Sequence, residues 1–253
     1  MKIVVPILLV PDLVEDLVIN DDGTALDFDE IAWIINELDD HAIEQGLLIK
    51  DASGAELTVI APDLENSDDV LYAASAKGAD KLMKIASDFE DGFNNHAVAR
   101  LLLPFIKDEE PDLVLTGVQS HNGFDGPIGA ALAELMGLPY IGYVSGVRLE
   151  GSKAIVQKDY PGGLKSEIEV SLPVVLGIQS AEEIPRYVPF SKVRQAMKSA
   201  DIQEEDGDLD LSGGPEVERV YEPEVAEKAT MIEGNAEEIA EKLVVIFKEQ
   251  GLL

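Results

Sequence analysis

Cysteine is absent from the 253 residues, which removes disulfide frameworks, thiolate nucleophiles, Cys-ligated zinc and iron–sulfur clusters together. Histidine occurs only as His41, His96 and His121, and none has a second His at i+3 or i+4, so no zinc spacing exists. Basic residues are scarce: 19 Lys plus Arg face 50 Asp plus Glu, a formal net charge of −31. Such a surface repels phosphates, which argues against nucleic acid or anionic lipid as a ligand. No apolar run approaches the roughly 20 residues that span a bilayer. The apolar start, residues 1–10, is interrupted by Pro6 and followed by acids from Asp12, a poor signal peptide. A soluble, unexported, cytoplasmic protein is therefore expected. Also missing are G-x-x-x-x-G-K-[ST], G-x-S-x-G and a G-x-G-x-x-G after the first strand, so hydrolase and ordinary dehydrogenase chemistry lacks support. Acid pairs such as Asp39-Asp40 read as surface carboxylates in a chain with 50 of them.

The negative charge is uneven. Residues 1–75 carry 18 acids and two bases, residues 76–199 carry 16 and 13, and residues 200–253 carry 16 and four. Within the near-neutral middle, residues 185–199 hold Arg186, Lys192, Arg194 and Lys198 and no acid. That island is either a docking surface or a helix face with solvated charges. The acidic ends fit a high-salt habitat, a basic partner or solubility alone.

With 46% apolar residues the chain can build a sizeable core. Its pattern alternates strand and helix: strands at 3–9, 57–61, 82–85 and 113–116, helices at 31–49, 68–77, 96–107 and 128–136. Asn36 interrupts the first helical pattern, and Pro104 is expected to bend or end the third. This order predicts an α/β fold with a doubly wound, mostly parallel, Rossmann-like sheet of adenine-nucleotide-binding type. Short antiparallel strands follow at 144–149, 153–158 and 166–170, then an apolar strand at 174–178. Acid- and glycine-rich residues 204–208 and 212–215 read as linker, and a last amphipathic helix spans 236–249 with Asn235 as N-cap. The expected domains are 1–199, including a basic segment 184–198, and an acidic linker plus C-terminal arm, 200–253.

The best ligand loop is Thr116-Gly117-Val118-Gln119-Ser120-His121-Asn122-Gly123-Phe124-Asp125-Gly126-Pro127-Ile128-Gly129, between a strand and a helix. In an open α/β sheet ligands sit beyond the carboxyl ends of strands, and a helix N-terminus there offers N–H groups to a phosphate. A plain surface loop explains the same residues about as well.

Several segments carry a resemblance. Asn36-Glu37-Leu38-Asp39-Asp40-His41-Ala42-Ile43-Glu44 is similar to an Asn-Pro-x-Asp/Cys-Glu-x-Ala-x-Glu pattern; Lys77-Gly78-Ala79-Asp80 matches a helix end. Asp112-Leu113-Val114-Leu115-Thr116-Gly117-Val118-Gln119 matches a strand before a nucleotide loop. Gly162-Gly163 with Leu172-Pro173-Val174-Val175 resembles a signature, and Pro185-Arg186-Tyr187 a recognition loop. In order and spacing these resemble the β subunit of electron transfer flavoproteins over almost the whole chain. Ala229-Thr230-Met231-Ile232-Glu233-Gly234 looks most like β subunits that serve trimethylamine dehydrogenase.

The resemblance implies a subunit without catalytic residues or metal of its own, paired with an α subunit that holds most of the contacts to redox-active FAD. The pair would take electrons singly from a flavin-dependent dehydrogenase of acyl-CoA or amine type and pass them to a quinone oxidoreductase or another acceptor. It also implies a structural AMP in β, held by Pro6, Asn36, Glu37, Leu38, Asp39, Pro62 and the loop residues Gly117, Val118, Gln119, Ser120, His121, Asn122, Gly123, Phe124, Asp125, Gly126, Pro127 and Ile128. Docking to the dehydrogenase falls on Ile184, Pro185, Arg186, Tyr187 and Phe190, with Phe190 as apolar anchor and Arg186, Lys192, Arg194 and Lys198 as a steering rim.

The chain also departs from the pattern. Leu8-Leu9 stands where relatives often have Lys-Arg or Lys-Gln, and Ile184 where Glu is usual. Gly126-Pro127-Ile128 offers no side-chain donor at the phosphate end of the loop, and Pro127 lacks an N–H. Each lost charge-assisted contact would weaken phosphate binding by roughly 1.5–3 kcal/mol. The loop keeps little of the Asp-Gly-Asp-Thr-Ala-Gln-Val run of bifurcating relatives, which argues against a second flavin in β. Two alternatives remain open: an atypical or bifurcating member, and a stand-alone adenine-nucleotide-binding regulatory domain.

Overall fold

A computed structural model of the chain describes residues 1–27, 30–89, 92–223 and 229–253. In chain order the elements are β1 (Lys2–Pro6), β2 (Leu9–Pro11), β3 (Trp33–Ile35), α1 (Glu37–Ser53), β4 (Glu56–Pro62), α2 (Ser67–Lys77), β5 (Lys81–Ala86), α3 (Asn95–Asp108) and β6 (Leu113–Gly117). They continue with α4 (Ile128–Met136), β7 (Tyr140–Val144), β8 (Gly146–Glu150), β9 (Lys153–Tyr160), β10 (Leu164–Ser171), β11 (Val174–Ile178), α5 (Phe190–Ser199), β12 (Ile202–Asp206) and α6 (Ala236–Glu249). The chain divides into two units, Met1–Val220 and Tyr221–Leu253.

The first unit is built on a seven-stranded sheet in the order β12-β5-β4-β1-β6-β11-β7, every pairing parallel. Successive side chains of a strand point to opposite faces, and β1 shows the consequence. Ile3 and Val5 join a core with Ala42, Ile43 and Leu47 of α1 and Leu71 of α2. Val4 enters a second core with Leu101 and Leu102 of α3 and Leu132 of α4. Two faces covered by helices make the inner strands mostly apolar, as in β11, where all five residues are buried. The expected doubly wound α/β fold with a small antiparallel section is present. That section is the sheet β10-β9-β8, and β2 and β3 form a separate antiparallel pair.

From β1 the chain steps outward through β4 to β5, then returns to place β6 on the other side of β1. The reversal between β1 and β6 is a topological switch point, where such sheets open a crevice at their carboxyl ends. The glycine-rich loop leaves β6 there.

Several local expectations change. The apolar run 3–9 is two strands, because β1 ends at Pro6 and β2 turns away to pair with β3. The helical pattern 31–49 also divides: Trp33-Ile34-Ile35 pairs as a strand, consistent with its aromatic and β-branched content. Asn36, extended at φ −58° and ψ 126°, stands at the N-cap position of α1. Pro104 neither ends nor replaces α3, which runs on to Asp108. Tyr140–Val144 is a parallel strand of the main sheet, and residues 190–199 form α5, packed against α2 with Ala196 buried.

The segment 204–208 is not simply linker. Ile202–Asp206 is the edge strand β12, paired in parallel with β5. Its ladder uses backbone groups, so acidic side chains on an edge do not prevent it. Lys84 of β5 meets Glu204 at 3.2 Å, as well as Asp68 at 2.9 Å and Asp63 at 3.5 Å, giving the acids a counter-charge. Strand β12 lies within the first unit, which runs to Val220.

The second unit contains α6, whose bounds match the expected helix. Asn235 accepts hydrogen bonds from the backbone N–H groups of Glu237 and Glu238, and Glu238 reaches back to Asn235, a complete capping box. No residue of α6 is buried, and Val244, Val245, Ile246 and Phe247 are all exposed.

Candidate functional site

The switch-point crevice lies where β1, β6 and the start of α1 meet. Asn36 is 4% exposed and Asp39 1%, so both side chains belong to the interior. The Asp39 carboxylate accepts from the backbone N–H of Leu8 at 2.8 Å and of Gly117 at 2.6 Å. It thereby ties the chain just after β1 to the end of β6. Burial raises its pKa from the ordinary 3.8 to about 6, against the two backbone donors, which favour the ion. The Asn36 amide donates to the carbonyl of Gln119 at 3.0 Å. Gly117 is packed so closely that a Cβ there would lie 2.6 Å from Asp39 Oδ1 and 2.8 Å from the backbone carbon of Leu38. Glycine is required at this position by close approach, since any side chain would collide with backbone.

The rest of the loop is tied down from three sides. His121 Nε2 is 3.1 Å from the carbonyl of Pro11. Asn95, at the start of α3, donates to the carbonyl of Gly126 at 2.8 Å, and its amide passes so close to Gly123 that a Cβ would collide with it. The Asp125 carboxylate accepts from the N–H of His96 at 3.1 Å, and Asn94 caps Ala97 at 2.8 Å. The N-terminus of α3, a natural anion position, is thus filled by the chain's own groups.

The structure brings together most of the residues expected to hold a nucleotide: Pro6, Asn36, Leu38 and Asp39 beside Gly117–Gln119, with Ile128 opening α4. Pro62 is buried at the end of β4, its carbonyl accepting from Ser67 Oγ at 2.8 Å. Glu37 and Phe124 are exposed, Phe124 at 92%. Two cavities flank the loop. One of ≈100 Å³ is lined by Leu8, Leu9, Phe93, Asn95, Asn122 and Asp125 among others, with no cation. The other, of ≈440 Å³, faces β7 and is lined by residues including Ser120, His121, Pro127, Tyr140, Tyr143 and Lys158. None of Pro6, Asn36, Glu37, Leu38, Asp39 and Pro62 lines either cavity. Among the described residues no group of three or more His, Asp or Glu is arranged to hold a metal ion.

The second site is the segment entering α5. Ile184 is 89% exposed, Tyr187 86% and Phe190 66%, three large apolar side chains within seven residues. A row on α1 holds the segment below them. Ala181 N–H donates to His41 Nδ1 at 3.2 Å, Glu182 N–H to Gln45 Oε1 at 3.2 Å, and Arg186 N–H to Glu44 Oε2 at 2.9 Å. His41, Glu44 and Gln45 sit at helical i, i+3 and i+4 spacing, so they share one face.

Arg186 does not stand free as a steering charge. Its Nε lies 2.9 and 3.0 Å from the two Glu44 oxygens, and its Nη2 reaches Glu44 at 2.9 Å and Asp51 at 3.1 Å. These carboxylates hold the guanidinium protonated, raising its pKa further. Among the described residues Lys192, Arg194 and Lys198 make no ion pair, and the Arg194 guanidinium lies 4.8 Å from the Phe190 ring centre. Phe190, at the first position of α5, is not a core aromatic. Sequence reasoning overlooked Glu44, Gln45 and Asn95 as positioning residues. The first two carried a signal, as polar residues on an otherwise apolar helix face.

The electron transfer flavoprotein domain matches residues 25–209 of the chain. The electron transfer flavoprotein subunit beta of Methylophilus methylotrophus is 31% identical over 261 residues, covering 98% of each chain. The subunits of that name from Bacillus subtilis and Clostridium acetobutylicum are 27% and 29% identical, covering 94% and 99% of each chain.

Proposed function

The chain belongs to the electron transfer flavoprotein β-subunit family, and from that premise we propose that it is the scaffold and docking subunit of a heterodimeric electron carrier. Its α-type partner would hold FAD, which supplies the one-electron chemistry, and this chain would present that pair to a flavin-dependent dehydrogenase. A quinone oxidoreductase or comparable acceptor would then receive the electrons.

The observation that carries this reading is the exposed group Ile184, Tyr187 and Phe190 on a segment locked to α1 through Arg186 and Glu44. Exposed apolar side chains on a firm backbone suit a docking surface that forms and releases quickly. Phe190 supplies the anchor, the Arg194 guanidinium supports its ring, and Lys192, Arg194 and Lys198 form the rim. Arg186 positions the segment. The amphipathic, uncovered α6 fits an arm that lies on the α-type partner.

Co-expression with the α-type partner tests the carrier role: the expected product is a yellow heterodimer, and a colourless stable monomer that never captures a flavin-bearing chain would refute it. Phe190→Ala tests the docking role. Loss of one well-packed anchor costs about 2 kcal/mol, or roughly 30-fold in affinity. Electron receipt from the dehydrogenase should slow accordingly with the flavin spectrum unchanged, and unaltered transfer kinetics would remove Phe190 from the interface.

A further inference from the structure

We infer that the cavity between the glycine-rich loop and β7 is a binding site for the phosphate group of a small molecule, with Lys158 as its cation and the Ser120 and Tyr140 hydroxyls as donors. The site is distinct from the contacts around Asn36 and Asp39, neither of which lines it, and it does not depend on the carrier role.

Space and charge both favour an anion here. The cavity of ≈440 Å³ falls within the range of small-molecule sites, about 300–1,000 Å³. Among the described residues no Asp or Glu lines it, on a chain that holds 50 of them, whereas Lys158 does. The Lys158 ammonium lies 6.0 Å from the ring centre of Tyr143 and 5.8 Å from that of Tyr160. Two aromatic faces steady the side chain without neutralising it, as a carboxylate would. Charges beyond about 8 Å are largely screened, so the local cation outweighs the acidic total.

The cavity also has donors to offer. Ser120 Oγ and Tyr140 Oη are buried without a hydrogen-bond partner, and both residues line it. A buried hydroxyl left unpaired is costly, which calls for an acceptor beside it. Burial pushes the Tyr140 phenol up to about 12, so it keeps its proton and remains a donor. Thr116, wholly buried, adds another unpartnered hydroxyl at the first turn of α4, where a Cβ on Gly129 would collide with it. Pro127, at the N-cap position of α4, lines the cavity, and no side chain caps that helix. The end of α4 therefore adds its positive dipole to the field of Lys158. Donors from the loop, β7 and β9 suit the several oxygens of a phosphate better than the two of a carboxylate.

The backbone is distorted at the same place. Tyr143 has φ 59°, the left-handed region that a bulky side chain rarely adopts. The pairing of β7 with β11 shifts register there, between Leu176 and Ile178. Such irregularities re-aim side chains beside ligand sites. Here the half-exposed Tyr143 ring lines the cavity and meets Lys158.

The protein as it purifies, alone or with an α-type partner, is the material for the test, and its flavin absorbance reports the carrier role separately. Its unfolding midpoint is measured with inorganic phosphate, ribose 5-phosphate or acetate at fixed pH and ionic strength. A saturable rise with inorganic phosphate and none with acetate is expected, since a ligand of the folded state raises the midpoint. A larger rise with ribose 5-phosphate would assign the remaining volume to an organic body, and an equal one would assign the site to free phosphate. Lys158→Ala should raise the half-saturating phosphate concentration roughly tenfold or more. Tyr140→Phe removes only an unpartnered hydroxyl. Without phosphate its midpoint should equal or exceed that of wild type, and with phosphate it should respond less. No phosphate-specific rise overturns the inference, as does a rise that survives both substitutions unchanged. An acetate response equal to that of phosphate overturns phosphate as the ligand.

Discussion

Replacing Arg186 by alanine removes the side chain that joins the proposed docking segment to α1, and the structure sets the size of the expected loss. Glu44 is 2% exposed, and its carboxylate receives the Arg186 backbone N–H at 2.9 Å as well as Nε and Nη2 at 2.9–3.0 Å. After the substitution the backbone donor remains, but a buried carboxylate has lost its cation. Breaking a buried pair in this way costs about 3–5 kcal/mol. The Arg186 side chain is one-third exposed, so water screens part of the interaction and about 2–3 kcal/mol is the sounder expectation. Asp51, 61% exposed, adds little. Glu44→Gln should be milder, about 1–2 kcal/mol, because the amide keeps one acceptor and leaves no buried charge behind. The pair should therefore show a coupling of roughly 1–2 kcal/mol in a double-mutant cycle measured by denaturant unfolding. Hydrogen exchange offers an independent view: the amides of Ala181, Glu182 and Arg186 should lose protection together, since all three are held by the same face of α1. Electron receipt should slow as the competent arrangement of Phe190 becomes less populated, roughly tenfold for each 1.4 kcal/mol of local loosening. Additive effects with unchanged exchange at 181–186 would show that the ion pair does not hold the segment.

Two further outcomes follow from the crevice. The folded pKa of Asp39 is raised to about 6, so its contribution to stability is fully present below the unfolded value near 3.8 and is lost as pH rises through 6. Wild type should therefore lose about 3 kcal/mol relative to Asp39→Asn across that window; parallel pH–stability curves would refute the burial argument. Gly117→Ala should destabilise by about 2 kcal/mol or more, because the new Cβ meets backbone at Leu38 and the Asp39 carboxylate, neither of which can yield cheaply. An unfolding midpoint equal to wild type would mean that β6 and α1 are less tightly joined than the 2.6 and 2.8 Å separations imply.

What could be read from the sequence was what local chemistry specifies. The apolar run of α4 and the capping residue of α6 place those helices correctly, since a cap or a period is visible within a few residues. The alternation of strand and helix gave the doubly wound sheet, whereas the strand order that puts the glycine-rich loop after β6 at a switch point shows only in the structure. Strand β12 was illegible because its evidence is a backbone ladder with β5 and a lysine 120 residues away, while its own letters are mostly acids. Glu44 and Arg186 stand 142 residues apart, so nothing local could reveal that the apparent steering charge is already neutralised. Asn95 reaches a loop 31 residues on, and only the packed structure shows that it fills space beside Gly123.

The pairing of Arg186 also changes how the charge of −31 bears on function. With Arg186 engaged, the rim consists of Lys192, Arg194 and Lys198, three cations on an otherwise acidic chain. At physiological ionic strength charges more than about 8 Å apart are largely screened, so a partner approaching α5 senses this local patch rather than the acidic total. Raising the salt shortens that range to about 3 Å at 1 M and weakens the patch itself. Apolar contact does not fade in this way, because it depends on excluded water rather than on an unscreened field. On the proposed docking role, the more saline the medium, the more recognition would rest on Ile184, Tyr187 and Phe190, and the more it would depend on the buried Glu44 carboxylate that holds their segment in place.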